Sequence, residues 1–165
     1  MEKIIIGADH AGYRLKERLV HHLRNKGHDV EDIGCYSEDS VDYPNIGKKL
    51  AEAFLKAAHE NPEQEIRGVL CCGSGIGICI SANRFPWIRA VVAHDHNTAA
   101  LSRKHNNANV ICMGGRVIAP DLAFEILDHW LATPFDGGRH QKRVDMMNNI
   151  HSEKNIVDTE EAPSC

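Results

Sequence analysis

Gly68 to Ala82 reads Gly-Val-Leu-Cys-Cys-Gly-Ser-Gly-Ile-Gly-Ile-Cys-Ile-Ser-Ala, which sets one thiol, Cys72, and one hydroxyl, Ser74, into a run of alternating glycines. Val69 to Cys71 is an apolar run too short for a helix; Gly73, Gly75 and Gly77 end it, and the residues that follow can begin a helix. The pattern predicts a strand, a glycine loop and a helix. Glycines let the backbone approach a ligand closely, and a helix start offers N–H groups of partial positive charge, so an anion is the expected guest. Thiols near a helix N-terminus ionise more readily, which makes Cys72 a candidate base or nucleophile. On this stretch alone Cys72 also reads as the last buried residue of a core strand, because free cysteines are among the most buried residues.

Further residues of the same kind end other predicted strands. Lys3 to Ala8 is a continuous apolar strand followed by Asp9-His10-Ala11-Gly12. Tyr13 to Lys26 follows as a helix with Leu15, Leu19, Val20 and Leu23 on one face, Lys and Arg on the other, and Gly27 as its stop. His28 to Ile33 reads as a second strand, and Gly34 to Tyr43 as a polar loop. Pro44 suits the first turn of the next helix, which carries Ile46, Leu50, Ala51, Phe54, Leu55 and Ala58 on one side and breaks at Asn61-Pro62. After the glycine loop, Ala90 to Ala93 is a fourth strand ending at His94-Asp95-His96, and Asn97 to His105 a helix with Ala99, Ala100 and Leu101 inside. Val110 to Met113 is a fifth strand ending in Gly114-Gly115-Arg116; Pro120 then opens a helix striped with Leu122, Ile126, Leu127, Trp130 and Leu131.

Strands alternating with helices through short links imply an α/β fold, a parallel sheet covered on both faces with its ligand crevice outside the carboxyl ends of the strands. That rule gathers Asp9, His10, Cys72 to Gly77 and Arg116. It does not by itself bring in His105 and Asn106, which end the helix before the fifth strand. Near the C-terminus, Gly137-Gly138-Arg139-His140-Gln141-Lys142-Arg143 places two arginines four apart on a helix that begins near Arg139. Arginine forks match phosphate oxygens, although such a pair can also be a solvated basic turn. Val144, Met147 and Ile150 make this helix amphipathic, so it must pack on something, a second subunit being one candidate. Residues 151–165 are polar and read as a loosely ordered tail after a single domain over 1–150.

Composition excludes several functions. The chain has 165 residues, 42% hydrophobic and 25% charged, ordinary for one soluble domain with a proper core. A formal charge of -4 argues against general nucleic-acid binding, which needs a basic excess. No apolar stretch reaches membrane-spanning length and no leader pattern precedes Ile4, so a cytoplasmic protein is expected. The six cysteines form no Cys-x-x-Cys pair and read as free thiols.

Three chemistries remain to be weighed. Gly73-Ser74-Gly75-Ile76-Gly77 lacks the Gly-x-Gly-x-x-Gly spacing of a dinucleotide loop. His94-x-His96 could aim two rings the same way, but no third and fourth metal ligand stands at a convincing spacing, and both read as structural. Proton transfer on a small phosphate ester fits better, since it needs a base, donors for the enediolate oxygens, an acid to open the sugar ring and a phosphate clamp. Cys72 supplies the first, the Gly73 to Gly77 amides with Ser74 the second, His105 and Asp9 the third, and Arg116, Arg139 and Arg143 the last.

The chain resembles the ribose-5-phosphate isomerase B family, which includes galactose-6-phosphate and allose-6-phosphate isomerases, from Lys3 to about Ile150. The resemblance rests on Gly7-Ala8-Asp9-His10-Ala11-Gly12, Asp42-Tyr43-Pro44, Cys72-Gly73-Ser74-Gly75-Ile76-Gly77, Ser102 to Asn109 and Gly137 to Arg143, in that order. It implies a Rossmann-like three-layer α/β/α domain with a five-stranded parallel sheet, its C-terminal helix exchanged at a dimer interface so that the terminal arginines enter the partner's site. The assembly would be a homodimer, or a dimer of dimers. By the same resemblance Cys72 is the proton acceptor, His105 assists ring opening with Asp9 nearby, and Asp9, His10, Tyr43, Gly73, Ser74, Gly75, Ile76, Gly77, Asn106, Arg116, Arg139 and Arg143 contact the sugar phosphate. Some members use a glutamate just after the loop; here that position is Ile78, so Cys72 carries the role. No metal or organic cofactor is implied. The implied reaction joins ribose 5-phosphate and ribulose 5-phosphate, with hexose phosphates and a non-enzymatic phosphosugar-binding module as alternatives.

Overall fold

A computed structural model describes residues 2–150, and the tail expected at 151–165 lies outside the described residues. Strands β1 (Lys3–Ala8), β2 (Asp29–Asp32), β3 (Ile66–Cys72), β4 (Ala90–Val92) and β5 (Val110–Gly114) form one parallel sheet in the order β2-β1-β3-β5-β4. Between and after them run α1 (Tyr13–Asn25), α2 (Tyr43–Glu60), α3 (Ile76–Ala82), α4 (His96–Asn106), α5 (Pro120–Ala132) and α6 (Arg139–Asn149). The α/β expectation holds, with every strand parallel.

The period of two along each strand splits the core between the two faces of the sheet. Ile4, Ile6 and Ala8 of β1, Val69 and Cys71 of β3, and Ile111 and Met113 of β5 pack with α1, α5 and Ala99 of α4. Ile5, Leu70, Cys72, Val110 and Cys112 pack instead with α2 and α3. Two adjacent cysteines therefore belong to opposite layers. Both faces being covered explains why the strands read as continuous apolar runs.

Several helices bury a different set from the one expected. On α2 it is Ala57 that is buried, while Leu55 and Ala58 are exposed, because the buried stripe runs through Ile46, Leu50, Phe54 and Ala57 at helical spacing. On α5 the stripe is Ala123, Ile126, Leu127 and Trp130; Leu122 is exposed and Leu131 only partly covered. On α4 the expected interior of Ala99, Ala100 and Leu101 is corrected to Ala99, Ser102 and Arg103, with Leu101 exposed. The reason is Trp130 of α5, whose indole N–H donates to Ser102 Oγ at 3.2 Å and whose ring lies under the Arg103 guanidinium, 5.6 Å from its centroid. On α1 the basic residue Lys16 is fully buried rather than solvated, because its ammonium pairs with Asp32 at 2.7 Å and with Glu17. Burial alone would lower the Lys16 pKa, and those two carboxylates raise it beyond that effect.

Candidate active site

The chain leaves β1 to form β2 on one side and returns to form β3 on the other, so the carboxyl ends of β1 and β3 flank the point where the strand order reverses. Crevices open at such points. Register sets the chemistry there: Ala8 pairs with Cys71 and Cys72 with Gly114, so Asp9, Cys72 and Gly114 end neighbouring strands at one level.

The loop after β3 turns through Gly75, whose φ of 81° is a conformation that side chains with a Cβ rarely adopt, and α3 begins at the next residue. This turn brings the Gly75 N–H back onto Cys72, donating to its Sγ at 3.0 Å. The Ile76 N–H donates to Ser74 Oγ at 3.3 Å. Cys72 is 4% exposed and its sulfur acts as an acceptor at the helix start. It is a buried core residue and also faces the loop. Cys71, on the other face of the strand, is fully buried, and burial pushes its thiol well above the ordinary range, so it stays protonated and structural.

Asp9 is buried, with Oδ1 accepting from the N–H groups of Ala11 at 2.9 Å and Gly12 at 3.0 Å. One carboxylate oxygen is thereby committed to the turn. His10 Nδ1 is held against the Val41 backbone, 3.2 Å from its nitrogen and 3.3 Å from its carbonyl oxygen, which fixes the ring at the mouth of the β1 turn. Tyr43 opens α2 with its ring over Gly77: a Cβ there would lie 2.8 Å from Tyr43 Cζ. The contact places Tyr43 beside the loop. Arg116 is tied to the loop through its N–H, which donates to Gly73 O at 3.0 Å, and its side chain passes over Gly73. His94 accepts from the Gly114 N–H at 3.1 Å, a structural contact that fastens β4 to the end of β5.

His105, Asn106, Arg139 and Arg143 are not brought to this crevice within the chain. α4 runs back along the sheet from the end of β4 to the start of β5, so His105 and Asn106 lie at the opposite, amino end of the strands. His105 stacks on His140 of α6, with ring centroids 4.3 Å apart and planes 7° from parallel, and Arg139 Nε approaches His140 Nε2 at 3.5 Å. Burial, then the charges of His105, Arg139 and Arg143, hold the His140 pKa below its ordinary value. Asn106 lines a groove of about 350 Å³ with Arg89, Ala108, Met147 and Ile150. Arg143 lies on the outer side of α6 beside exposed Met146 and Ile150. His140 was not among the residues expected to act; its only sequence signal is its place next to Arg139 in the basic turn.

Residues 4–147 match the protein family described as Ribose/Galactose Isomerase. Ribose-5-phosphate isomerase B of Escherichia coli is 41% identical over 155 residues, covering 94% of this chain and 100% of that relative. Among solved structures, ribose-5-phosphate isomerase B of Clostridium thermocellum superposes with a TM-score of 0.84 at 43% identity, covering 91% of this chain and 97% of that one. The Mycoplasma genitalium enzyme of the same name, solved with bound ribulose-5-phosphate, superposes at 0.83 with 35% identity and coverages of 92% and 97%. Among the described residues no helix is long and apolar enough to cross a membrane.

Proposed function

This chain belongs to the ribose/galactose isomerase family, and from that membership we propose that it interconverts D-ribose 5-phosphate and D-ribulose 5-phosphate without a cofactor, as a step of the non-oxidative pentose phosphate pathway. The single observation that carries the mechanism is Cys72 Sγ, held by the Gly75 N–H at the level of Asp9 in the sheet. As a thiolate, Cys72 takes the proton from C2 of the open-chain aldose; the electron pair moves into the C1–C2 bond and the carbonyl oxygen becomes that of an enediolate. The hydroxyl proton passes from O2 to O1 as the carbon proton returns from the Cys72 thiol to C1, which gives the ketose and restores the thiolate. Ser74 and the Gly73 to Gly77 backbone hold the enediolate oxygens, and Ile76 borders them. Two of the loop's amides, of Gly75 and Ile76, donate to Cys72 and Ser74. His10 and Tyr43 bind the sugar hydroxyls, and Arg116 meets the phosphate.

The remaining groups come from a second copy. In one chain His105, Asn106, Arg139 and Arg143 lie a sheet's length from Cys72, whereas α6 exposes Met146, Met147 and Ile150 and α3 exposes Ile76 and Ile80 beside the loop. A homodimer that covers these apolar residues, with α6 of each chain reaching the other, carries the partner's His105 and Asn106 to the ring oxygen and the partner's Arg139 and Arg143 to the phosphate. Asp9 assists ring opening from its own chain. A cytoplasmic location agrees with this metabolic role.

The test is ketose formation by the purified protein in excess chelator, with four-, five- and six-carbon aldose phosphates compared. Rapid turnover of ribose 5-phosphate supports the reading; turnover of only another chain length keeps the chemistry and changes the substrate. Tight binding without turnover, unaltered by Cys72→Ala, would make the protein a phosphosugar-binding module.

A further inference from the structure

We propose that His105, Asp136 and His140 form a binding site for a divalent transition metal of the zinc class, and that filling it withdraws His105 from catalysis and inhibits the enzyme. The inhibitory half rests on the assignment of His105 to ring opening; the binding half does not.

The three side chains come from the last turn of α4, the loop after α5 and the first turn of α6. Their candidate ligand atoms all lie within 4.8 Å of one another, the one group of this kind found among the described residues. Ligand atoms about 2.0–2.1 Å from a tetrahedral zinc ion lie roughly 3.3 Å apart, so closure takes a movement on the order of 1.5 Å. Asp136 is exposed and can swing by that much, while the stacked rings of His105 and His140 need only splay. The backbone that carries the ligands is already fixed. The Asp136 N–H donates to Lys104 O at 3.1 Å, next to His105, and the His140 N–H donates to Gly137 O at 3.0 Å.

Donor chemistry selects the ion. Two imidazoles and one carboxylate suit zinc, cobalt, nickel or copper, whereas magnesium and calcium require shells of oxygen. Three protein ligands leave a fourth position for water or for a substrate oxygen. Arg139 and Arg143 flank His140 and repel a cation, and Asp136 is the only carboxylate of the three ligands, so its charge decides the affinity. An imidazole whose nitrogen lone pair is donated to a metal cannot exchange a proton with a sugar oxygen at that atom.

Binding is measured first in Cys72→Ala, which removes the proposed catalytic thiol as a competing zinc ligand. Titration with Zn2+ against a chromophoric chelator should give one equivalent per chain, and Co2+ should develop the visible bands of a four-coordinate site. Adding Asp136→Asn should weaken binding at least about 10-fold. With Cys72 intact, Zn2+ should slow turnover reversibly; Asp136→Asn should keep the basal rate and require at least about 10-fold more Zn2+ for the same inhibition. Absence of binding, or equal binding with and without Asp136, overturns the site. Loss of binding without a change in inhibition overturns the inhibitory half and points to Cys72. If the chain turns over no aldose phosphate even in chelator, the isomerase reading fails, and the binding titrations still decide the site.

Discussion

If the catalytic groups of one site come from two chains, two inactive variants should rescue each other. Cys72 ends β3 level with Gly114, the last residue of β5, whereas His105 lies beyond the first residue of β5, Val110. The steps from Val110 to Gly114 at about 3.3 Å each span roughly 13 Å, more than a cysteine and a histidine side chain reach together toward the same few sugar atoms. Mixing equal amounts of Cys72→Ala and His105→Ala chains and allowing them to reassociate gives mixed dimers in about half of the population, and in each of these one of the two sites regains both wild-type groups, so turnover should recover to about one quarter of wild type. A coupled ketose assay reads the rate, and native mass spectrometry of chains with different tags verifies that mixed dimers formed. If both groups served one site from the same chain, every site in a mixed dimer would lack one of them. Mixed dimers without recovery would refute the shared-site reasoning.

Cys72→Ala should lower turnover by on the order of 10²–10⁴ while leaving the dissociation constant for ribose 5-phosphate nearly unchanged, as read by single-turnover kinetics and calorimetry; unchanged turnover would remove the thiol from the mechanism. Gly77→Ala puts a methyl carbon 2.8 Å from Tyr43 Cζ, which should cost about 1–3 kcal/mol by thermal or urea unfolding. In a Tyr43→Ala background the same change should be neutral or stabilising, because helices favour alanine over glycine by about 1 kcal/mol, and equal losses in both backgrounds would contradict the contact. Asp128 is partly buried, which raises its pKa, but hydrogen bonds from Lys26 and His22 more than offset this and hold it below the usual carboxylate range. A depressed carboxylate stabilises the fold above its unfolded pKa and loses that effect as pH falls through the folded value. Asp128→Asn should therefore melt earlier than wild type at neutral pH, with the difference closing below about pH 4; a constant difference down to pH 2 would argue against ionisation as its cause.

The strands and the glycine loop were legible because they depend on patterns of short range. Continuous apolar runs such as Ile4 to Ile6 and Val69 to Cys71, each stopped by polar or glycine residues, are the signature of strands buried on both faces. The crevice rule then placed Asp9, Cys72 and Arg116 at one end of the sheet. What stayed illegible depends on partners distant in sequence. Leu101 reads as interior, but Trp130 lies beneath Arg103 and buries that side of α4 instead. Lys16 reads as surface until Asp32, at the end of the next element, receives its ammonium. The family resemblance assigns the Arg139 to Arg143 pair to a partner's site but does not say the same of His105; α4 and α6 set all three at the far end of the sheet from Cys72.

The way α4 is fastened bears on how much its histidine can drift. Near its C-terminal end, Arg103 donates to Ala108 O at 2.5 Å, to Asn107 Oδ1 at 3.0 Å and to Thr133 O at 3.4 Å. Burial, and then the charge of Arg67, lower the Arg103 pKa to about 10. Apolar helix faces can slide or rotate by small amounts at little energetic cost, since oily contacts have no preferred direction, but a guanidinium fork keeps its bonds only at set angles. A lysine at 103 would keep charge and length yet lose the fork. The helix would then stay docked while its end gained freedom to twist, and His105, two residues on, would sweep a wider arc. Such a protein would melt earlier, because the acceptors at Ala108, Asn107 and Thr133 lose their donor, and the proposed ring-opening role of His105 would suffer from poorer aim as well.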